Sequence, residues 1–401
     1  MPGPLDSIRV IDLTSMISGP LATMMLGDQG AEVIKVEAPG GGDHTRAAAN
    51  RRGGMSASFL HNNRSKRSAV LDLKAEAGRA ALLKLAATAD VFVQNFRPGV
   101  AERIGVGEDA IRAVAPSIVY VSISGFGEEG PYRDKPVYDP LVQGVSGLAS
   151  VQAGSDEARP RLVRTILPDK LSGIVAAQAI TAALLARART GEGQHVRLSM
   201  LDAVVAFLWA SDMGSQTFVG DSLPQQAAAS FADLIYDTAD TPISVAVQSD
   251  REWRSLARAV DHPEWLDDSR FRGVEDRQRN IDARLELTQS ALRGRSAAEW
   301  LERLAAADVP CAPVLTRNAT LDDPQVRANG IVVEFDHPMA GRVRAARPAA
   351  RFSGTPAAIG APAPAYGADT EAVLREAGLG ETDIEDLRRG GAFGPEREAG
   401  T

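Results

Sequence analysis

The sequence holds one cysteine, Cys311, so no intrachain disulfide and no cysteine-built zinc cluster can form. Its five histidines, His44, His61, His195, His262 and His337, show no HExxH or HxH spacing, so no metal site is expected. There is no GxSxG elbow and no GxxxxGK[ST] loop, which leaves no motif for a serine hydrolase or a P-loop nucleotide hydrolase. No run of about 18 apolar residues appears, so no transmembrane helix is expected. The N-terminal MPGPLDSIRVIDLT lacks a basic segment followed by a long apolar core, so a cytoplasmic location without a signal peptide is expected. Positive charge is scarce: the formal net charge is −8 and the pI about 5.3. That excess of acid argues against nucleic-acid or anionic-membrane partners, while a local basic pocket stays open. What remains is 401 residues, 44% hydrophobic and 24% charged, the balance of a globular enzyme-sized chain with two or three cores.

The first third alternates strand-like and helix-like segments. Residues 8–14 (IRVIDLT) read as a buried strand, and Gly19-Pro20 opens a helix that Gly30 closes. Residues 31–37 (AEVIKVE) read as the next strand, which completes a right-handed βαβ unit. Strands at 68–73, 90–96 and 118–124, with helices at 75–87 and 108–114, extend the pattern to an α/β fold with an open parallel sheet. Residues 171–188 are apolar nearly all round and predict a buried helix, followed by a strand at 195–199 and a helix at 200–213. A change of character at 220–230 marks a linker. The expected division is 1–219 as the first part of a large domain, 231–317 as a smaller α+β domain, and 318–401 as a return to the large one.

Three stretches invite chemistry. Gly125-x-Gly127-x-x-Gly130 matches a dinucleotide fingerprint on paper, yet Pro131, Asp134 and Pro136 follow where a helix should start, so it reads as a glycine-rich turn. Cys311, between Pro310 and Pro313, reads as a buried structural thiol. Asp169, just ahead of the long apolar helix, reads as an N-cap. The same position suits a nucleophile. A helix N-terminus favours the ionised carboxylate even where apolar surroundings oppose it, and such a carboxylate can attack an activated acyl group.

Several further pieces occur in order. They include Arg9-Val10-Ile11-Asp12-Leu13-Thr14 with Gly19-Pro20, Gly42-Asp43 with Arg46, Leu71-Asp72-Leu73-Lys74, and Asn95-Phe96-Arg97-Pro98-Gly99 with Arg103. Gly125-Phe126-Gly127, Tyr138-Asp139, Asp169, Ser199-Met200-Leu201-Asp202 and Phe352-Ser353-Gly354 follow. Taken together they resemble the family III CoA-transferases, the group of formyl-CoA transferase, carnitine CoA-transferase and α-methylacyl-CoA racemase.

The resemblance implies a large Rossmann-like domain built from both chain ends, a smaller inserted domain, and an interlinked homodimer. It implies acyl-CoA and a free carboxylic acid as substrates, with no permanently bound cofactor. Asp169 matches the family's nucleophile, passing through an aspartyl anhydride and an aspartyl-CoA thioester. Lys74, Asn95, Phe96, Arg103 and Arg46 match positions near CoA, and Met16, Ile17, Tyr138 and Asp139 match the substrate pocket. All six lysines fall between Lys35 and Lys170, in keeping with a basic pocket in the large domain.

Two departures bear on the substrate. Racemase members carry histidine where this chain has Tyr138, whose ordinary pKa near 10 suits proton transfer poorly; an acyl-CoA racemase or isomerase is therefore the second reading. Formyl-CoA transferases carry a glycine-rich closing segment and a glutamine in the first βα turn. Here the matching places hold Gln225-Gln226-Ala227-Ala228-Ala229-Ser230 and Ile17. Met16 and Ile17 suggest an acyl group larger or less polar than formate. A non-catalytic acyl-CoA binding protein is the third reading.

Overall fold

The computed structural model describes residues 2–220 and 234–394. The chain divides into one unit of Met1–Ser222 with Gly330–Thr401 and another of Leu223–Asn329. Residues 318–329, expected in the return segment, therefore group with the inserted unit. Most of the expected linker, including Gln225 to Ser230, lies outside the described residues.

The first unit is built on a six-stranded sheet. In chain order its elements are β1 (Arg9–Asp12), α1 (Ser18–Asp28), β2 (Glu32–Glu37), β3 (Lys66–Val70), α2 (Glu76–Ala86), β4 (Val91–Gln94), α3 (Glu108–Val114), β5 (Val119–Ser124), α4 (Asp139–Val145), α5 (Leu167–Thr190), β6 (His195–Ser199) and α6 (Met200–Trp209). All neighbouring strands pair in parallel, in the order β3-β2-β1-β4-β5-β6. Between β1 and β4 the winding reverses, so the two crossovers leave a crevice beyond the carboxyl ends of those strands. Apolar runs such as Val10-Ile11 and Val91-Phe92-Val93 are fully buried, as strands covered on both faces require. The C-terminal return covers the sheet's free edge. Ser68 and Val70 of β3 donate their backbone N–H groups to Asp369 Oδ2 (2.9 Å) and Thr370 Oγ1 (3.0 Å), and Val373, Leu374 and Ile384 join the core on that side.

α5 departs from expectation. It begins four residues before the predicted start, at Leu167, and it is not buried all round: Ile174 and Leu185 are about half exposed. By length and composition alone this helix could cross a membrane, contrary to the sequence reading. In the fold its buried face (Gly173, Ala176, Ala177, Ile180) packs against α1 and the sheet. A Cβ at Gly173 would sit 2.8 Å from the Ser18 carbonyl oxygen, so glycine there lets α5 press onto the start of α1.

The second unit has a three-stranded antiparallel sheet (Ile235–Tyr236, Ile243–Val245, Cys311–Pro313) under helices, with Trp253, Trp265, Phe271 and Trp300 in its core. Cys311 is half-buried and burial pushes its thiol pKa up, which suits a structural thiol. A hairpin the sequence analysis did not foresee, Val332–His337 with Gly341–Ala346, belongs to the first unit.

Around the carboxyl end of β1 lies a buried ionic network. Lys66 Nζ contacts Asp12 Oδ2 at 2.9 Å, and also donates to the Pro20 carbonyl and Asn63. Lys35 Nζ pairs with Asp43 at 2.9 Å and donates to the Thr14 carbonyl at 2.7 Å. Burial opposes the Asp12 charge, but Lys66 and Lys35 outweigh it and hold this carboxyl below its ordinary range. Removing one member leaves the other charge buried without its partner. Lys66→Met should therefore destabilise the chain by about 3 kcal/mol in urea unfolding at neutral pH. A loss under about 1 kcal/mol would contradict the assigned role of the network.

Candidate active site

The crevice is walled by two loops that clamp each other. Asn95, just past β4, accepts from the Ser15 N–H at 3.0 Å and donates to the Ser15 carbonyl at 2.8 Å. The Ser15 to Ser18 turn is held from its other side as well, since the Met16 N–H donates to Asp43 Oδ1 at 3.3 Å. Met16 sits at φ 72°, a left-handed backbone that methionine rarely adopts and that these contacts impose.

Asp169 enters this crevice from α5. It is the third residue of that helix, not its cap; Ile166 holds the cap position and gives no side-chain bond. The capping carboxylate comes from 30 residues upstream: Asp139 Oδ2 accepts the Asp169 N–H at 3.3 Å. Asp139 is buried, and its Oδ1 accepts from Gln143 Nε2 at 2.6 Å. Gln143 is pinned in turn by the Val163 N–H at 2.9 Å.

With its N–H satisfied by a neighbouring acid, the Asp169 side chain is left alone. Among the described residues its carboxylate oxygens accept no hydrogen bond and enter no ion pair. Burial first, and the Asp139 charge second, push its pKa up to about 6. Burial, with the neighbouring Asp139 charge, thus sets the direction of the shift. Such a carboxylate is still mostly ionised at neutral pH, yet more basic and less solvated than an ordinary aspartate.

Asp169 and Asp139 line a cavity of about 240 Å³ together with Met16, Asn95, Phe96, Tyr138 and the cations Arg97, Arg133 and Lys135. Ile17, expected in the same wall, does not line it, although Ser15 and Ser18 do. Tyr138 is 69% exposed at the rim. The glycine-rich stretch after β5 is loop up to Asp139. A Cβ at Gly125 would lie 2.2 Å from Val137, so this glycine lets the loop fold back over the site with Lys135 on it.

A second cavity, of about 310 Å³, opens on the β2 side and is lined by Leu13, Val36, His44, Leu73, Lys74, Phe96 and Ile104. Phe96 thus stands between the two. Arg103 is exposed on the turn Val100–Arg103 and lines neither cavity. Arg46 lies apart too. Its guanidinium is bidentate on Glu37 (2.7 and 2.8 Å) and stacks over Phe59, so its charge is committed inside the protein. The sequence reading did not single out Arg97, Arg133 or Lys135; only the grouping of lysines in this half of the chain hinted at them. No group of three His, Cys, Asp or Glu side chains that could hold a metal occurs among the described residues.

Residues 5–370 match the family model for CoA-transferase family III. The chain is 36% identical over 338 residues to the acetyl-CoA:oxalate CoA-transferase of Acetobacter aceti, covering 83% of this chain and 86% of that protein. It is 32% identical to the human succinyl-CoA:glutarate CoA-transferase, over 93% of this chain and 86% of the relative. The crystal structure of Rv3272 from Mycobacterium tuberculosis superposes with a TM-score of 0.81 at 31% identity, over 93% of this chain and 99% of that one. The chain belongs to CoA-transferase family III and is an enzyme of that type.

The raised Asp169 pKa carries a stability consequence of fixed sign. The folded chain binds this proton more tightly than the unfolded chain, so the ionised side chain opposes folding above about pH 6 and ceases to do so below about pH 4. Asp169→Asn should stabilise the protein by about 1–3 kcal/mol at pH 7.5, with the gain fading on acidification. Denaturant midpoints at the two pH values check this. An unchanged or lowered midpoint at pH 7.5 would show that the carboxylate is well solvated or paired.

Proposed function

We propose that this chain moves CoA from an acyl-CoA thioester to a free carboxylic acid, with Asp169 as the covalent nucleophile. The observation that carries the proposal is an unpaired, half-buried carboxylate, held next to a second acid, in a cation-lined crevice at the sheet's switch point.

Attack by an Asp169 oxygen on the donor thioester carbon releases CoA thiolate and leaves an acyl-aspartyl anhydride. The thiolate then attacks the aspartyl carbon, releasing the donor carboxylate and leaving an aspartyl-CoA thioester. The acceptor carboxylate attacks that thioester, forming a second anhydride and freeing the thiolate again. Attack of the thiolate on the acceptor's acyl carbon gives the product thioester and regenerates Asp169. Each step exchanges one activated acyl for another, so no ATP is required. Acylation also removes the Asp169 charge, and with it both the burial penalty and the repulsion from Asp139. A carboxylate destabilised before reaction and relieved on reaction favours the forward step.

The residues around the crevice sort by what CoA requires. Lys74 and Phe96, at the 310 Å³ cavity, suit the nucleotide end, a cation for phosphate and a ring for stacking. Arg103 suits the same end from outside the cavity. Asn95 acts through the Ser15 backbone that it clamps, and Arg46 through Glu37. Met16, Tyr138 and Asp139 border the acyl end, with Ile17 supporting that turn from behind. The relatives are named as transferases of the acetyl-CoA:oxalate and succinyl-CoA:glutarate pairs. Arg97, Arg133 and Lys135 would meet such carboxylates here. Tyr138 in place of an imidazole weighs against the racemase reading.

A homodimer belongs to the same proposal. Leu141, Val145, Ile174, Leu185, Phe207 and Trp209 are each about half exposed on α4, α5 and α6. An apolar face of that extent suits burial against a second copy.

Asp169→Ala should lower CoA transfer from an acyl-CoA to a carboxylate by roughly 10³-fold or more while CoA binding changes little. In the unaltered enzyme kcat/KM should fall as pH drops through about 6, and Asp139→Asn should move that limb to lower pH. Transfer by the alanine variant at a comparable rate would refute the nucleophile assignment. Proton exchange α to the thioester in D₂O, without CoA transfer, would instead favour the racemase reading.

A further inference from the structure

Behind the crevice, on the far side of Phe96, four side chains form a continuous hydrogen-bonded chain. Gln94 Oε1 accepts the Phe96 N–H at 2.8 Å. Gln94 Nε2 donates to Ser122 Oγ at 3.1 Å. Ser122 Oγ meets His195 Nε2 at 2.7 Å, and His195 Nδ1 meets Glu108 Oε2 at 2.6 Å. Gln94 and Ser122 are buried, and the His195 side chain is 8% exposed. The four line a cavity of about 690 Å³ that shares Phe96, Arg97, Pro98 and Arg133 with the cavity of Asp169.

The direction of this chain is fixed where it meets the backbone. A backbone N–H can only donate, so Gln94 must present its oxygen to Phe96 and its amide nitrogen to Ser122. Ser122 Oγ accepts that bond and also meets His195 Nε2. His195 Nδ1 faces Glu108, so the imidazole joins Ser122 to that carboxylate. Glu108 is kept an acceptor by Arg112 (2.9 Å) and Arg197 (3.2 Å). The ring is also held by an edge contact to Tyr120, with centroids 4.9 Å apart.

The chain ends on the segment that builds both walls of the crevice. Phe96 separates the two cavities, and Asn95, one residue earlier, clamps Ser15 and hence the Met16 turn. We propose that Gln94, Ser122, His195 and Glu108 form a hydrogen-bonded relay that positions the Asn95–Phe96 wall for acyl-CoA, making them positioning residues rather than catalytic ones. The inference rests on the reading under Proposed function and assigns these four residues a part in it. Its signature is a rise in KM rather than a fall in kcat, because none of them touches the reacting carboxylate.

The test compares two replacements at one position. His195→Gln keeps an amide that can hydrogen-bond both Ser122 and Glu108, whereas His195→Phe keeps a ring beside Tyr120 but cuts the relay. His195→Phe should raise KM for acyl-CoA about tenfold with kcat changed less than about threefold, and His195→Gln should stay within about threefold in both. Ser122→Ala, a smaller change at the next link, should reproduce the phenylalanine result, so a phenylalanine variant that fails to fold does not end the test. Thermal melts of each variant accompany the kinetics.

Wild-type KM in both Ser122→Ala and His195→Phe would overturn the relay, as would equal impairment of His195→Gln and His195→Phe. Either result, with Asp169→Ala still inactive, leaves the transferase reading standing. A wild-type protein that neither binds CoA in titration calorimetry nor transfers it overturns that reading and the relay together.

Discussion

One carboxylate caps a helix so that another cannot be satisfied. Asp139 accepts the N–H of Asp169, the donor that would otherwise steady an acid at this helix start, and it adds its own charge next door. Asp169 is thereby left ionisable, desolvated and unpaired. Most proteins avoid such a group, since an isolated buried charge costs several kcal/mol. Under the proposed mechanism its discomfort is the source of its reactivity, because covalent acylation would remove the charge that the surroundings resist.

Holding two acids this close requires rigid surroundings, and the sheet provides them. The reversal between β1 and β4 leaves open ground at their carboxyl ends. The Asp12–Lys66 and Lys35–Asp43 pairs fix the backbone where β1 leaves the sheet, and Asp43 reaches on to the Met16 N–H. Asn95 ties that turn to β4. Gly173 lets α5 approach α1 closely enough to set Asp169 beside the same turn. Strain at Met16 and crowding at Asp169 therefore both rest on charges buried one layer below them.

Much of this was legible from sequence, and the gaps have physical causes. Apolar runs located the inner strands of the main sheet and the helices between them, because strands buried on both faces leave a continuous apolar mark, while the half-exposed edge strand His195–Ser199 was read from the turn before it. The site residues came from a family resemblance rather than from periodicity. Asp169 was assigned to a cap by local spacing. The true cap, Asp139, lies 30 residues away and could be recognised only once α4 and α5 were placed together. Arg46 resembled a ligand-binding cation, but its partner Glu37 is fixed by the fold. The hairpin of Val332–His337 and Gly341–Ala346 was missed because its strands mix apolar and charged residues and form no continuous apolar run; its Glu334–Arg344 pair becomes readable only with the register in hand.

The most direct test of the central claim is peptide mass spectrometry of the enzyme quenched during turnover with an acyl-CoA. The account predicts that the peptide holding Asp169 gains the mass of CoA as a thioester, and that hydroxylamine converts this adduct to the Asp169 hydroxamate. A peptide that stays unmodified while product thioester accumulates, or an adduct on a different residue, would contradict it.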